Sequence, residues 1–564
     1  MEKIWLKNYK PEIPAEIKLD DTTLVDLFNQ ACKQYAANRA VSCHKVALSF
    51  SEVKERSLQM AQALIDIGVN KGDRVALILP NCLQYPLTVF AVLLAGATVV
   101  NINPLYTPNE IEYVLKNSEP TVVVTLDMFS EKLNGFYNQF GIKHIISTKI
   151  ADPYPTVKRS IINLLLRYVA KVNPKLVYQP LSWRTLMEKS SVLASPIAVT
   201  ADDIAFIQYT GATTGHPKGA MLLHRNIASN IKQIFSLLDV QVDDMSKQVV
   251  ISALPMYHIF SLTANFFTFF FHGSENVMVP NAKNIKDLVK TMNSTPFTVF
   301  NSLDTLYHKL LEYKPFINAK HPHFKYGICG GMAIRQSVAE HWYQHTGLVP
   351  TNCYGLTETS PCVSMNDLGS PFNGSVGYPV PSTEIDIRDI TTGTQSLAQG
   401  EIGIIMVRGP QVMVGYWRNP EQTKLALSAD GWLRTGDIGY VNPDGLLFIS
   451  GRETEMIIVS GFNVYPAEVE MVIDQLPEIA EVAVVGYPDE ESGEAVHAYI
   501  VLNAEHTLSV EQILLHCRKN LTRYKVPHFF TIVEELPKTL VGKIDKKALV
   551  AQYLNKNTQT DSKY

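Results

Sequence analysis

The stretch Ile204-Ala-Phe-Ile-Gln208, followed by Tyr209-Thr-Gly-Ala-Thr-Thr-Gly-His-Pro-Lys-Gly-Ala220, sets a short apolar run before a loop dense in hydroxyls and glycines, with one lysine. The run predicts a strand and the loop suits a polyphosphate. Glycines let backbone N–H groups approach phosphate oxygens, Thr210, Thr213 and Thr214 offer hydroxyl donors, and Lys218 adds a point charge. The spacing is not that of a P-loop, because no Gly-Lys-Ser/Thr follows Gly-x4. Ordinary turns share this composition, so on these residues alone a phosphate cradle and a plain turn both stay open.

Outward from this loop the chain alternates. Ser51 to Ile67 has a helical pattern, Arg74 to Leu79 reads as a strand, and Pro80-Asn81 marks a turn before another helix, a rhythm that predicts an α/β domain with buried sheets. From about Ile385 to Ile449 short strands (IDIRDI, GIIMVRG, GLLFIS) separated by Gly, Pro and Asp predict an all-β subdomain. A tail of about 110 residues follows a joint near Ser450 to Thr454. Its expected elements are a helix over Pro466 to Leu476, strands over Glu481 to Val485 and Val496 to Leu502, and a helix over Ser509 to Leu521 with a Ser509/Gln512 capping box. Charge in this tail is polarised. Glu453 to Cys517 holds 13 acids and no Lys or Arg, whereas Arg518 to Lys547 holds eight Lys or Arg against three acids, so one tail surface is expected to be cationic.

Composition bounds the function. The chain has 564 residues, 50 Lys plus Arg against 54 Asp plus Glu, and a net charge of -4. Such a length exceeds one core of roughly 150 residues, and the charge balance excludes bulk nucleic-acid binding by counterion release. Seven cysteines, none in a Cys-x-x-Cys pair, point to a reducing compartment. The charged start MEKIWLKNYK lacks a signal-peptide core. The longest apolar runs, Pro86 to Val100 and Ile259 to Phe271, fall short of the roughly 20 residues of a membrane-spanning helix, and are expected in the core.

The loop is more specific as a whole than its composition is. It resembles the phosphate loop of the adenylate-forming superfamily of acyl-CoA synthetases, luciferases and adenylation domains. Further resemblances follow in order: LPMYHIFSLT (Leu254 to Thr263), CGGMA (Cys329 to Ala333), CYGLTETSP (Cys353 to Pro361), GWLRTGDIG (Gly431 to Gly439), SGFNVYPAEVE (Ser460 to Glu470) and VGKID (Val541 to Asp545). WLKNY, KGDRVALILPN, VNINPLYTP and GPQVMVGYW are most similar to bacterial long-chain fatty-acid CoA ligases. The resemblance implies an α/β fold: a large body over 1–450 with two α/β sheets and a β-rich subdomain (about 380–450), and a small mobile α+β domain over 451–564.

It also implies ATP, Mg2+ and coenzyme A as cofactor and co-substrates, a fatty carboxylate as acyl substrate, and a reaction through acyl-AMP. Lys218 with Thr210, Gly211, Thr213, Thr214 and Gly215 would hold the phosphates, and Glu358 with Thr213 the metal. Gly330, Gly331, Tyr354, Gly355 and Thr357 would flank the adenine, Asp437 and Arg452 the ribose, and Gly461 and Phe462 the thiol side. Lys543 would carry adenylation, and His258 would gate the acyl and thiol route. The basic run Arg518 to Lys547 would assist the coenzyme A phosphates.

Close relatives usually carry Gly or Ser at position 212 and Asp-Arg-Lys-Lys at 451–454; this chain has Ala212 and Gly451-Arg452-Glu453-Thr454. A neutral hinge at Thr454 beside a glycine implies intact adenylation and a slowed thioester step. Thr156 to Leu176 joins Ile161, Leu164, Leu165, Tyr168 and Val169 on one helical face with Lys158, Arg159, Arg167, Lys171 and Lys175, which suits either a membrane surface or packing on the domain. The expected location is the cytoplasm, with peripheral contact at the inner membrane face as the finer expectation; a homodimer stays open. Two rival readings remain: a ligase delivering the acyl group to a carrier protein, and a nucleotide- or lipid-binding homologue impaired in turnover.

Overall fold

Two sheets of mostly parallel strands form the bulk of the body. The computed structural model describes residues 2–168, 174–210, 217–489, 492–503, 506–539 and 542–551. The larger sheet runs Leu181–Ser182, His144–Thr148, Val122–Leu126, Arg74–Ile78, Thr98–Asn101, Ile204–Thr210, Lys218–Leu223, parallel throughout except for the last, antiparallel pair. Val122–Leu126 and Thr98–Asn101 are buried at every position, as parallel strands covered on both faces must be. The second sheet orders Val299–Phe300, Val249–Ser252, Glu275–Met278, Arg39–Cys43 and Val46–Ser49.

The β-rich region is an antiparallel sheet of Glu384–Arg388, Gly403–Arg408, Leu433–Val441 and Leu447–Arg452. A smaller sheet of Ile328–Cys329, Thr351–Gly355, Cys362–Met365 and Tyr378–Pro379 lies earlier in the chain. The tail builds its own core around Ile479–Asp489 and Gly493–Leu502, flanked by Ile457–Val459, Phe462–Val464 and Phe529–Ile532, with helices Pro466–Asp474 and Val510–Asn520. The architecture is the mixed α/β fold expected, a large body with a small C-terminal domain.

Local signals explain several boundaries. Ser49 with Glu52 and Ser509 with Gln512 form reciprocal capping boxes that start Phe50–Asp66 and Val510–Asn520. The first tail helix stops at Asp474 rather than at the expected Leu476, because Pro477 disfavours helical geometry in the residue before it. Of the expected helix over Thr156 to Leu176, Thr156–Tyr168 is helical, while Val169 and Lys171 lie outside the described residues. The two longest apolar runs are core: every residue of Gln84–Leu94 is buried, and so is every residue of a π-helix, Phe260–Phe267, that continues into Thr268–Phe271. No helix among the described residues is long and apolar enough to cross a membrane.

The expected cationic tail face is neutralised in part. Lys525 pairs with Glu468 at 2.6 Å, Lys538 with Glu481 at 2.6 Å, and Lys546 with Glu470 at 2.7 Å and Glu455 at 3.3 Å. Acids and bases separated along the sequence meet in space because the basic end folds back over the strands and helix of the acidic part. Arg518, Lys519 and Arg523 remain exposed.

Phe270 centres an aromatic cluster, with ring centroids 4.7 Å from Phe50, 4.9 Å from Phe90 and 5.2 Å from Phe266. Its ring is wholly buried. Phe270→Ala is expected to cost about 3–5 kcal/mol, since the packed surroundings relax only partly into the cavity left behind; urea unfolding of the variant beside the parent measures the loss.

Candidate functional site

A cleft of about 2540 Å3 lies between the body and the tail. The hairpin of Ile204–Thr210 and Lys218–Leu223 sets Thr210 opposite Lys218 at the cleft. Gly211, Thr213, Thr214 and Gly215, with Ala212, lie outside the described residues. The Lys218 Nζ donates to Gln422 Oε1 at 3.2 Å and stands 4.8 Å from the Tyr416 ring centroid. The hydroxyl of that same tyrosine donates to Glu358 Oε1 at 2.8 Å. Tyr416 thus links the lysine and the carboxylate. Its signal lay in GPQVMVGYW, which carried the resemblance but no assigned role.

Asp437 and Arg452 face each other across Leu433–Val441 and Leu447–Arg452. Arg452 Nε lies 2.9 Å from Asp437 Oδ1, and the Tyr354 hydroxyl donates to Asp437 Oδ2 at 2.6 Å. Asp437 is buried, and burial raises its pKa against the pull of Arg452, Tyr354 and Lys543. Burial and the neighbouring Asp437 charge hold Tyr354 well above the ordinary tyrosine range, so it stays a neutral donor.

Lys543 enters from the tail. Burial first, then the Arg452 charge, bring its ammonium down to about 8, with Asp437 opposing. Beside it, His258 is brought to about 3 by burial and by the Lys543 charge, and is therefore neutral at pH 7. Its loop is held from behind: Asn81 donates to the carbonyls of Ser252 and Leu254 and accepts from Met256 N, and the Tyr85 hydroxyl donates to Met256 O.

The glycines have distinct reasons. A Cβ on Gly330 would come within 2.7 Å of Cys353 Sγ and 2.9 Å of Phe260 Cζ, so glycine is what lets the CGGMA loop pack on both neighbouring motifs. Gly331, at φ +78°, lies in the left-handed region that favours glycine, and a Cβ there would press on Leu303 Cδ2 at 3.1 Å and touch Lys543 Cε at 3.9 Å. A Cβ on Gly355 would meet the Pro361 carbonyl at 2.0 Å.

Lys218, Thr210, His258, Gly331, Tyr354, Gly355, Thr357, Glu358, Asp437, Arg452 and Lys543 all line the cleft. Gly330 sits just behind its wall. Gly461 and Phe462 are not brought there: Gly461 turns the chain into the tail strand Phe462–Val464, where half-exposed Phe462 stacks on Tyr524 at 4.7 Å. The other wall is apolar. Ile234, Phe260, Ala264, Ile328, Cys362 and Met365 line the cleft and belong to one core cluster. Of Ile259 to Phe271, expected in the core, Phe260 and Ala264 also face the cleft, and the other phenylalanines are core.

A family model described as AMP-binding enzyme matches residues 28–417, and one described as AMP-binding enzyme C-terminal domain matches 468–543. A long-chain-fatty-acid–CoA ligase of Yersinia pestis is 41% identical over 97% of this chain and 98% of its own. One of Bacillus subtilis is 34% identical over 98% of each. Among solved structures, ATP-bound MatB from Rhodopseudomonas palustris superposes with a TM-score of 0.78 at 29% identity, covering 94% of this chain and 99% of that one. With both parts of the chain matched and near-complete relatives above 30% identity, the protein belongs to the AMP-binding enzyme family.

Proposed function

We propose that this protein is a Mg2+- and ATP-dependent long-chain fatty-acid–CoA ligase. The observation that carries the reading is the cleft itself: a half-buried ammonium, Lys543, stands where a polar wall of Asp437, Tyr354 and Glu358 meets an apolar wall of Ile234, Phe260 and Met365. An amphiphile with a carboxylate head fits that division, and the names of the full-length relatives agree with it.

A carboxylate is a poor acyl donor because oxide would have to leave. In the first step its oxygen attacks the α-phosphorus of ATP, the bond to the bridging oxygen breaks, and pyrophosphate departs with the electron pair. In the second, the coenzyme A thiol attacks the acyl carbonyl, AMP leaves, and the thiol proton passes to solvent. Neither step needs a protein nucleophile, so the protein's task is placement and charge neutralisation. Lys218, Thr210 and the 211–215 loop hold the β- and γ-phosphates. Asp437 accepts from the ribose hydroxyls with Arg452 beside it, and Tyr354 and the Gly330-Gly331 and Gly355 backbones flank the adenine. Lys543 bridges the carboxylate and the α-phosphate.

Magnesium supplies charge neutralisation on the phosphates. Glu358 would offer a hard oxygen ligand of the kind that ion takes, and Thr213 would be the second candidate. Among the described residues no group of three or more His, Cys, Asp or Glu could hold a metal alone. The neutral His258, two residues before Phe260, guards the route from head group to acyl wall.

Lys543 and the Gly461-Phe462 turn cannot serve one site at once in this orientation. Rotation of the tail about residues 453–455 withdraws the lysine and presents the turn for the thioester step. The hinge is tied on both sides, by Glu453 to Arg434 at 2.8 Å in the body and by Glu455 to Lys546 in the tail. That leaves the neutral Thr454 between two anchors, in keeping with a slowed second step.

We place the enzyme in the cytoplasm and in peripheral contact with the membrane. Val157, Ile161, Leu164 and Tyr168, spaced along one face of Thr156–Tyr168, are 75%, 55%, 60% and 67% exposed. Such an apolar stripe suits the headgroup boundary, where fatty acids concentrate.

Lys543→Ala is expected to slow pyrophosphate release by about 10²–10³-fold, as for loss of one transition-state donor. Because the ammonium works only when protonated, kcat/KM for adenylation should fall as pH rises through about 8, and Lys543→Arg should lose that limb. A steady-state pH series with oleate measures both. Ile161→Glu/Leu164→Glu should abolish sedimentation with anionic liposomes while leaving turnover of detergent-dispersed oleate unchanged.

A further inference from the structure

Lys543 has to be placed to within a fraction of an ångström for its charge to act in the transition state, yet it sits on a short loop of a domain joined to the body by a few residues. Burial and Arg452 disfavour its charge and Asp437 offsets them only in part, so the pocket alone does not fix its place. The docking must be fixed elsewhere.

The contacts that do so converge on two neighbouring body helices. Asp304 opens Asp304–Glu312 and is buried; it accepts from the backbone N–H of Arg335 at 3.0 Å and from Arg335 Nε at 2.8 Å. Arg335, so fixed, donates through Nη1 to the tail carbonyl of Ala480. The next residue after Asp304, Thr305, donates through Oγ1 to the carbonyl of Gly542 at 3.1 Å, immediately before Lys543. Arg335 is also the N-cap position of Gln336–Thr346 and makes no side-chain cap. That open helix start is met across the domain boundary: Ser337 Oγ lies 3.1 and 3.0 Å from the two carboxylate oxygens of Asp474, and Ser337 N lies 3.5 Å from Oδ2. A carboxylate at a helix N-terminus is favoured by the unpaired N–H groups and the helix dipole. Asp474 is the last residue of the tail helix Pro466–Asp474 and is itself buried.

We propose that Arg335, Ser337 and Asp474 form an interdomain latch that positions Lys543 for the adenylation step and must open before the thioester step. These are positioning residues; none is assigned contact with substrate. The inference rests on the two-step reaction and tail rotation given above.

Single-turnover pyrophosphate release and, separately, acyl transfer from preformed oleoyl-AMP to coenzyme A test it in Ser337→Ala, Asp474→Ala and Asp474→Asn. Removing the cross-domain hydrogen bond should slow pyrophosphate release by about five- to tenfold and leave acyl transfer unchanged or faster. Asp474→Asn keeps an acceptor and should recover most of the rate. Ser337→Ala deletes a single hydroxyl and serves if an Asp474 variant does not fold. If both steps slow together, or neither changes, in a parent enzyme that turns over, the latch is overturned alone. If the parent forms no oleoyl-AMP, the proposed activity falls and the latch with it.

Discussion

Burying an ammonium is the demand around which this molecule is organised. A lysine taken out of water loses hydration worth several kcal/mol, and the loss must be offset by charge nearby. For Lys543 the offset is Asp437, which belongs to the body, while Arg452 works against it. Neither domain satisfies the cation alone. The tail must dock for the lysine to find its counter-charge, and on the proposed function the docked arrangement would gain a further anion in the α-phosphate. The β-rich sheet, the latch helices and the hinge anchors all serve the same end, bringing a charge carried by one domain to a pocket built by the other.

A second division runs through the cleft. The segment from His258 to Ala264 passes from polar to apolar within two helical turns: His258 faces the lysine, Phe260 opens the π-helix, and Ala264 lies deeper along the apolar wall. The wider turn of a π-helix keeps one face of a fully buried segment against the cleft while the other packs into the aromatic cluster around Phe270. The long run of phenylalanines is thereby shared between a lining and a core.

The sequence was most legible where chemistry is local. The capping box at Ser509, apolar strand runs such as Arg74–Ile78, and the glycine- and threonine-rich loop before Lys218 declare themselves within a few residues. The motif order then gathered Asp437, Glu358 and Lys543, which no spacing rule would have joined. What stayed hidden depends on partners far apart in the chain. Tyr416 reads as one aromatic among many until the fold sets it between Lys218 and Glu358. Arg335 and Asp474, 139 positions apart, carry no sign in the sequence that they meet across the domain boundary. The tail's charge polarity misled for the same reason: a basic run was read as a surface, but its lysines at 525, 538 and 546 were spoken for by acids some 57 to 91 positions earlier in the chain.

Arg452 is the last residue of the β-rich sheet, and its partner Asp437 lies directly across from it, whereas residues 453–455 begin the crossing to the tail. On the proposed function, the grip on the ribose would sit at the axle and Lys543 at the rim. A swing of the tail sweeps the rim through a long arc while the axle stays nearly at rest. On that reading the nucleotide half of the intermediate would remain clasped while the chemistry around its acyl half is exchanged, and a reactive anhydride would pass from one step to the next without being let go.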